Sequence, residues 1–131
     1  LLVAEDNDLN YEVEQELLGM YGITCERAAN GEICVDKFHR AEPKTYDAIL
    51  MDMQMPVMDG IDAAKHIRQM DAEGAEIPII AVTANAFKSD EEHCAEAGMN
   101  AHLPKPFDIN KLMEVLTSLL DLEYTENENV Q

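Results

Sequence analysis

Ala48-Ile49-Leu50-Met51-Asp52 runs directly into Met53-Gln54-Met55-Pro56-Val57-Met58-Asp59-Gly60. An apolar run closes on a carboxylate and then breaks at proline and glycine. A buried strand of this form sets its terminal acid at the carboxyl edge of a sheet, which is where open α/β sheets bind ligands. Two other stretches have the same form. Leu1-Leu2-Val3-Ala4 leads into Glu5-Asp6, and Ala101-His102-Leu103-Pro104 leads into Lys105-Pro106. Three strands would then bring three acids and one amine to one edge.

Outward from these edges, short β-like runs alternate with helical patterns, and such alternation predicts parallel βαβ units. Strands are expected at 1–5, 23–28, 47–51, 77–82 and 100–103. The run Ile77-Pro78-Ile79-Ile80-Ala81-Val82 has the near-continuous apolar character of a central strand. The first helix is expected after a cap at Asn7 or Asp8. Its apolar positions Leu9, Val13, Leu17, Met20 and Tyr21 keep helical spacing, and Gly19 and Gly22 help to end it. A second helix follows the Asn30-Gly31 turn with Cys34, Val35 and Phe38 inward, and ends before Pro43. A third starts after Gly60 with Ala63, Ala64, Ile67 and Met70 on one face. A fourth is expected from Ser89 to Gly98, with Glu92 completing a capping box. The fifth runs from Asp108 to residue 120, with Ile109, Leu112, Met113, Leu116, Leu119 and Leu120 as its core stripe. Five strands and five helices in strict alternation imply a doubly wound five-stranded parallel sheet with helices on both faces.

The length of 131 residues suits one domain, and 47% apolar residues can fill its core. Leu1 already lies within the first strand, so the sequence is expected to start inside a longer protein. Residues 1–120 form the expected domain. Residues 121–131 are acidic and aperiodic, as in a tail or linker. The 27 acidic and 9 basic residues leave a net charge of −18. That charge argues against direct contact with nucleic acid or an anionic membrane, and it favours metal cations or basic partner surfaces. Cys25, Cys34 and Cys94 form no paired motif, which is expected of reduced thiols in a cytoplasmic protein.

The residue types at the three strand ends suggest specific chemistry. Glu5, Asp6 and Asp52 offer the oxygen ligands that a hard cation such as Mg²⁺ takes, alongside water and substrate phosphate. A carboxylate can form an acyl phosphate, so Asp52 is a candidate nucleophile, with the cation offsetting repulsion from the incoming phosphoryl oxygens. Lys105 lies between Pro104 and Pro106, which restrict the backbone and aim a compact positive charge suited to phosphate. Thr83 ends the central strand, where its hydroxyl could donate to a phosphoryl oxygen. Asp59 is expected as a turn or cap residue. No pair among His39, His66, His93 and His102 has metal-ligand spacing. His102 stands apart because it lies three residues before Lys105.

Taken together, Glu5-Asp6-Asn7, Leu50 to Gly60, Thr83-Ala84-Asn85-Ala86 and Lys105-Pro106-Phe107 resemble the response-regulator receiver domains of two-component signalling. They are most similar to those of hybrid sensor histidine kinases. The resemblance implies a flavodoxin-like sheet of order 2-1-3-4-5. It implies that Asp52 accepts a phosphoryl group from a phosphohistidine of a kinase or phosphotransfer domain. Mg²⁺, or Mn²⁺ in its place, would be held by Glu5, Asp6, Asp52 and the main-chain carbonyl of Gln54. Thr83 and Lys105 would bind phosphoryl oxygens. Gln54 and Asn85 would tune self-catalysed dephosphorylation. Such a domain is a phosphoacceptor rather than an enzyme in the ordinary sense, although its parent protein could be a membrane-anchored hybrid kinase. The resemblance also implies a homodimer face across the helices at 89–98 and 108–120. Two positions depart from the family pattern: the first acidic position holds glutamate, Glu5, a common family variant, and the switch residue, usually Tyr or Phe, is His102 here, paired with Thr83.

Two other readings compete. A phosphatase of the haloacid dehalogenase type would need a second aspartate two residues after Asp52, and Gln54 stands there. A degenerate receiver serving only to bind protein would lack one of the required residues, and all are present.

Overall fold

The computed structural model describes residues 1–41, 45–53, 55, 57–70, 76–83, 95–104 and 108–120. In chain order these form β1 (Leu2–Ala4), α1 (Asp8–Gly19), β2 (Glu26–Ala28), α2 (Gly31–Arg40), β3 (Ile49–Asp52), α3 (Gly60–Arg68), β4 (Ile79–Thr83), β5 (Ala101–Pro104) and α4 (Ile109–Leu120). The five strands make one sheet of order β2-β1-β3-β4-β5, parallel at every pairing. The parallel sheet is the one the alternation of elements predicts, and its order is the one the resemblance implies.

Side chains on the two sheet faces build two cores. Leu2, Ala4, Ile49, Met51, Ile79 and Ala81 face α2 and α3, meeting Cys34, Ala63, Ala64 and Ile67. Val3, Leu50, Ile80, Val82 and Leu103 face the other way, onto Leu18 of α1 and Leu112, Met113 and Leu116 of α4. Strand residues are therefore buried on both sides, which is why their sequences are continuous apolar runs rather than alternating ones. The helices begin where short polar side chains cap them. Asn7 Oδ1 accepts from Asn10 N at 2.9 Å, Asn30 Oδ1 from Ile33 N at 2.8 Å, and Asp59 Oδ1 from Asp62 N at 2.9 Å. Asn7 is thus the cap of the first helix, and Asp59 is the cap of the third.

The apolar stripe expected on α1 is corrected at three of its five positions. Leu9, Val13 and Met20 are exposed, whereas Glu14 and Leu18 are buried, with Tyr11 and Tyr21 packed beside the core. Two helical stripes compete in this sequence, 9-13-17-20 and 11-14-18-21. At 3.6 residues per turn, Leu9, Val13 and Met20 lie roughly 100–140° around the axis from Glu14. Counting apolar residues favours the first stripe, but packing against Val3 and Leu50 selects the second. Strand bounds also move. β3 and β4 begin later than expected and extend to include Asp52 and Thr83. Most of the helix expected at 89–98 falls outside the described residues. Its end is seen as helical backbone at 95 and 96 followed by Gly98 at φ +91°. The side chain of Leu120 and the 121–131 tail also lie outside. Among the described residues, no helix is long and apolar enough to cross a membrane.

Candidate functional site

The site stands at the carboxyl edge, where β1, β3 and β4 end side by side. Ala4 pairs with Met51, and Asp52 pairs with Val82. The next residues along β1 and β4 are Glu5 and Thr83. One carboxylate oxygen each from Glu5, Asp6 and Asp52 lies within 4.8 Å of the other two. Glu5 is 1% exposed, Asp52 3% and Thr83 4%, while Asp6 is open to solvent. The adjacent pair Glu5-Asp6 would point oppositely along a regular strand. The chain leaves the sheet after Ala4, and both acids turn to the same point.

Local backbone contacts fix this edge. Glu5 N donates to Ala28 O at 3.0 Å, and Glu5 Oε1 accepts from Asn7 N at 3.1 Å and Asn10 Nδ2 at 3.4 Å. Beyond Asp52, Met53 N donates to Val82 O at 3.0 Å, and Met53 O accepts from Gly60 N at 3.1 Å. The loop thereby folds back onto the strand end. Gly60 is needed there, since a Cβ at that position would lie 2.5 Å from the main-chain oxygen of Asp52. Gly31, which opens α2, donates to Met58 O at 3.1 Å, and a Cβ on it would overlap that same oxygen.

The donor set suits a hard divalent cation. Three like charges converge, two of them shielded from water, and all three offer carboxylate oxygen. Glu5, Asp6 and Asp52 would hold Mg²⁺. When bound, it would supply positive charge against which an anionic phosphoryl group can approach the buried Asp52.

Thr83 and His102 are related by register. Ala81 pairs with His102 and Thr83 with Pro104, so Thr83 and His102 are diagonal neighbours on one sheet face. His102 is half-buried, on the side opposite Ala101 and Leu103. Lys105, Gln54 and Asn85 lie outside the described residues, as do His93 and Cys94. His39 and His66 are exposed. Cys34 is buried in α2, and burial pushes its thiol up to about 12. Cys25 is half-buried and is also raised by burial.

Residues 1–117 match the family of the response regulator receiver domain. The chain belongs to that family. This receiver domain is 40% identical over 130 residues to hybrid signal transduction histidine kinase I of Dictyostelium discoideum, covering 97% of this chain but only 8% of that protein. The receiver domain of the sensor histidine kinase PA1611 from Pseudomonas aeruginosa PAO1 superposes with a TM-score of 0.81 at 40% identity, over 92% of this chain and 95% of that one. That structure carries a magnesium ion coordinated in its active site cleft. The receiver domain of Ssk1 from Saccharomyces cerevisiae, crystallised with the histidine phosphotransfer protein Ypd1, superposes with a TM-score of 0.77 at 28% identity over 88% of this chain and 84% of that one. The chain is a receiver domain of two-component phosphorelay signalling.

Sequence reading missed one residue of this receiver's edge. Arg27 of β2 reaches across to Glu5, donating from Nε to the Glu5 carbonyl at 3.0 Å. Its only signal in the sequence is that it is one of just 9 basic residues in a chain with 27 acids.

Proposed function

We propose that Asp52 is the phosphoacceptor and that its donor is the phosphohistidine of a kinase or histidine phosphotransfer domain. A carboxylate oxygen of Asp52 attacks phosphorus. An O–P bond forms, the P–N bond breaks, and the donor imidazole leaves. The observation that carries this reading is the convergence of the buried Asp52 with Glu5 and Asp6 at one edge. Glu5, Asp6, Asp52 and the main-chain carbonyl of Gln54 hold Mg²⁺. Thr83 and Lys105 receive the phosphoryl oxygens. Gln54 and Asn85 set the rate at which the domain hydrolyses its own acyl phosphate. Thr83 and His102 form the switch that relays phosphorylation to the surface.

The exposed apolar pair Leu9 and Val13 on α1, an i,i+4 couple just past Asp6, offers a docking patch for a partner helix. The charge of −18 opposes contact with nucleic acid or an anionic membrane. The free thiols Cys25 and Cys34 fit a reducing, cytoplasmic setting, with any membrane anchor elsewhere in the parent kinase. Residues 121–131 serve as a linker, and residues 89–98 together with α4 serve as a homodimer face.

Incubation with phosphoramidate and Mg²⁺ tests the central claim. Intact mass should show one phosphate adduct, absent after EDTA and absent in Asp52→Asn. Undiminished labelling of that variant would refute it.

A further inference from the structure

Arg27 makes three contacts at the edge of the acidic site. Its Nε donates to the carbonyl of Glu5 at 3.0 Å. Its Nη1 pairs with Asp8 at 2.7 Å. Its guanidinium lies over the ring of Tyr11, 5.3 Å from the centroid. The Glu5 carbonyl belongs to the peptide unit that joins Glu5 to Asp6. The N–H of Glu5 is already bonded to Ala28 of β2 at 3.0 Å. The peptides on either side of Glu5 are therefore both tied to β2, one by backbone and one by the Arg27 side chain, at the point where β1 leaves the sheet.

Arg27 is itself anchored. Lys37 Nζ donates to the Arg27 carbonyl at 2.7 Å and pairs with Glu26 at 3.3 Å, which in turn accepts from the Tyr46 hydroxyl at 2.8 Å. We infer that Arg27 is a positioning residue for the metal site: it fixes the Glu5–Asp6 peptide plane so that both carboxylates turn towards Asp52. This inference rests on the reading of Glu5, Asp6 and Asp52 as Mg²⁺ ligands.

Two physical roles for the guanidinium predict opposite outcomes. Acting only as a charge beside three acids, it would compete with the cation, and its removal would tighten Mg²⁺ binding. Acting as a positioner, it keeps the acids convergent, and its removal weakens binding. The ion pair contributes little in itself, since Asp8 is 89% exposed. What matters is a planar fork that serves a carbonyl and a carboxylate together, which the single ammonium of lysine cannot do in the same geometry.

Mg²⁺ affinity should be measured by NMR titration of the ¹⁵N-labelled domain for wild type, Arg27→Gln and the gentler Arg27→Lys. Positioning predicts about a tenfold loss of affinity in both variants, with the Asp6 amide signal displaced before any metal is added. The Asp6 amide reports the orientation of the Glu5–Asp6 peptide unit, which global stability does not set. Unchanged affinity in either folded variant, or tighter binding in Arg27→Gln, overturns the inference while the metal site stands. Absence of Mg²⁺ binding to wild type at millimolar concentrations would instead overturn the metal reading, and this inference with it.

Discussion

Glu5 follows β1 directly and Asp52 ends the neighbouring parallel β3, and a carboxylate oxygen of one lies within 4.8 Å of an oxygen of the other, with Asp6 completing the group. Both side chains are buried. Two ionised carboxylates so placed repel each other in a medium that screens poorly. A fold that keeps them there loses stability in the absence of a cation and regains it when one binds.

Mg²⁺ should therefore stabilise the domain. At roughly ten times its dissociation constant, a ligand specific for the folded state adds about 1.4 kcal/mol, which for a domain of this size raises Tm by about 3–5 °C. Asp6→Ala should melt at the same temperature as wild type or higher without metal, because one repulsive charge is gone. Its Mg²⁺ increment should fall close to zero. Thermal melts in EDTA and in excess Mg²⁺ check this, and an undiminished increment in Asp6→Ala would remove Asp6 from the ligand set.

Two glycines should respond differently to alanine. A Cβ at Gly60 would lie 2.5 Å from the Asp52 oxygen and 3.0 Å from the Met53 Cα, whereas at Gly19 it would meet nothing within 4 Å. Helix propensity favours alanine at both by up to about 1 kcal/mol. At Gly60, overpacking against rigid backbone costs about 1–3 kcal/mol and outweighs it. Denaturant midpoints should show Gly60→Ala destabilised, with slower phosphorylation, and Gly19→Ala neutral or stabilised.

Buried Cys34 gives a signed pH dependence. Burial raises its thiol from an ordinary 9.0 to about 12, so folding favours the protonated form. Its contribution is complete below pH 9 and is lost as pH rises towards 12, because the unfolded chain ionises first. By pH 10.5 the loss is about 2 kcal/mol. Unfolding free energies at pH 8 and 10.5 should fall less in Cys34→Ala than in wild type, and parallel declines would show that the thiol does not titrate differently on folding.

The diagonal placement of His102 beside Thr83 sets an imidazole next to the residue proposed to receive a phosphoryl oxygen. Beryllofluoride with Mg²⁺ mimics the phosphorylated state. Its addition should shift the His102 ring signals in NMR spectra, and Thr83→Ala should abolish the shift. Identical His102 spectra in both states would leave helix movement without His102 as the switch.

Much of this protein is legible in the order of its residues. The apolar runs ending in Glu5-Asp6 and Asp52 mark strands of a doubly buried sheet, because only parallel strands covered on both faces tolerate such continuous hydrophobicity. Asn7, Asn30 and Asp59 mark helix starts because short polar side chains satisfy the free N–H groups of a first turn. The glycine at position 60 marks a turn, although its closeness to the Asp52 carbonyl does not show in the sequence.

Other features depend on tertiary structure. Local spacing allows two faces of α1, and only packing into the core that Leu18 shares with Val3 and Leu50 turns Leu18 inward and leaves Leu9 and Val13 exposed. Strand register, which sets Thr83 diagonal to His102, arises from long-range pairing of β4 with β5 and has no local signature. The bond from Arg27 to the Glu5 carbonyl joins residues 22 apart in sequence. It exists because β1 and β2 are brought side by side across α1, and no periodicity or motif in either segment specifies it. Sequence alone determined which chemical groups stand at the strand ends; the tertiary structure decided which of them meet, because convergence is a property of strands packed in parallel and not of any one segment.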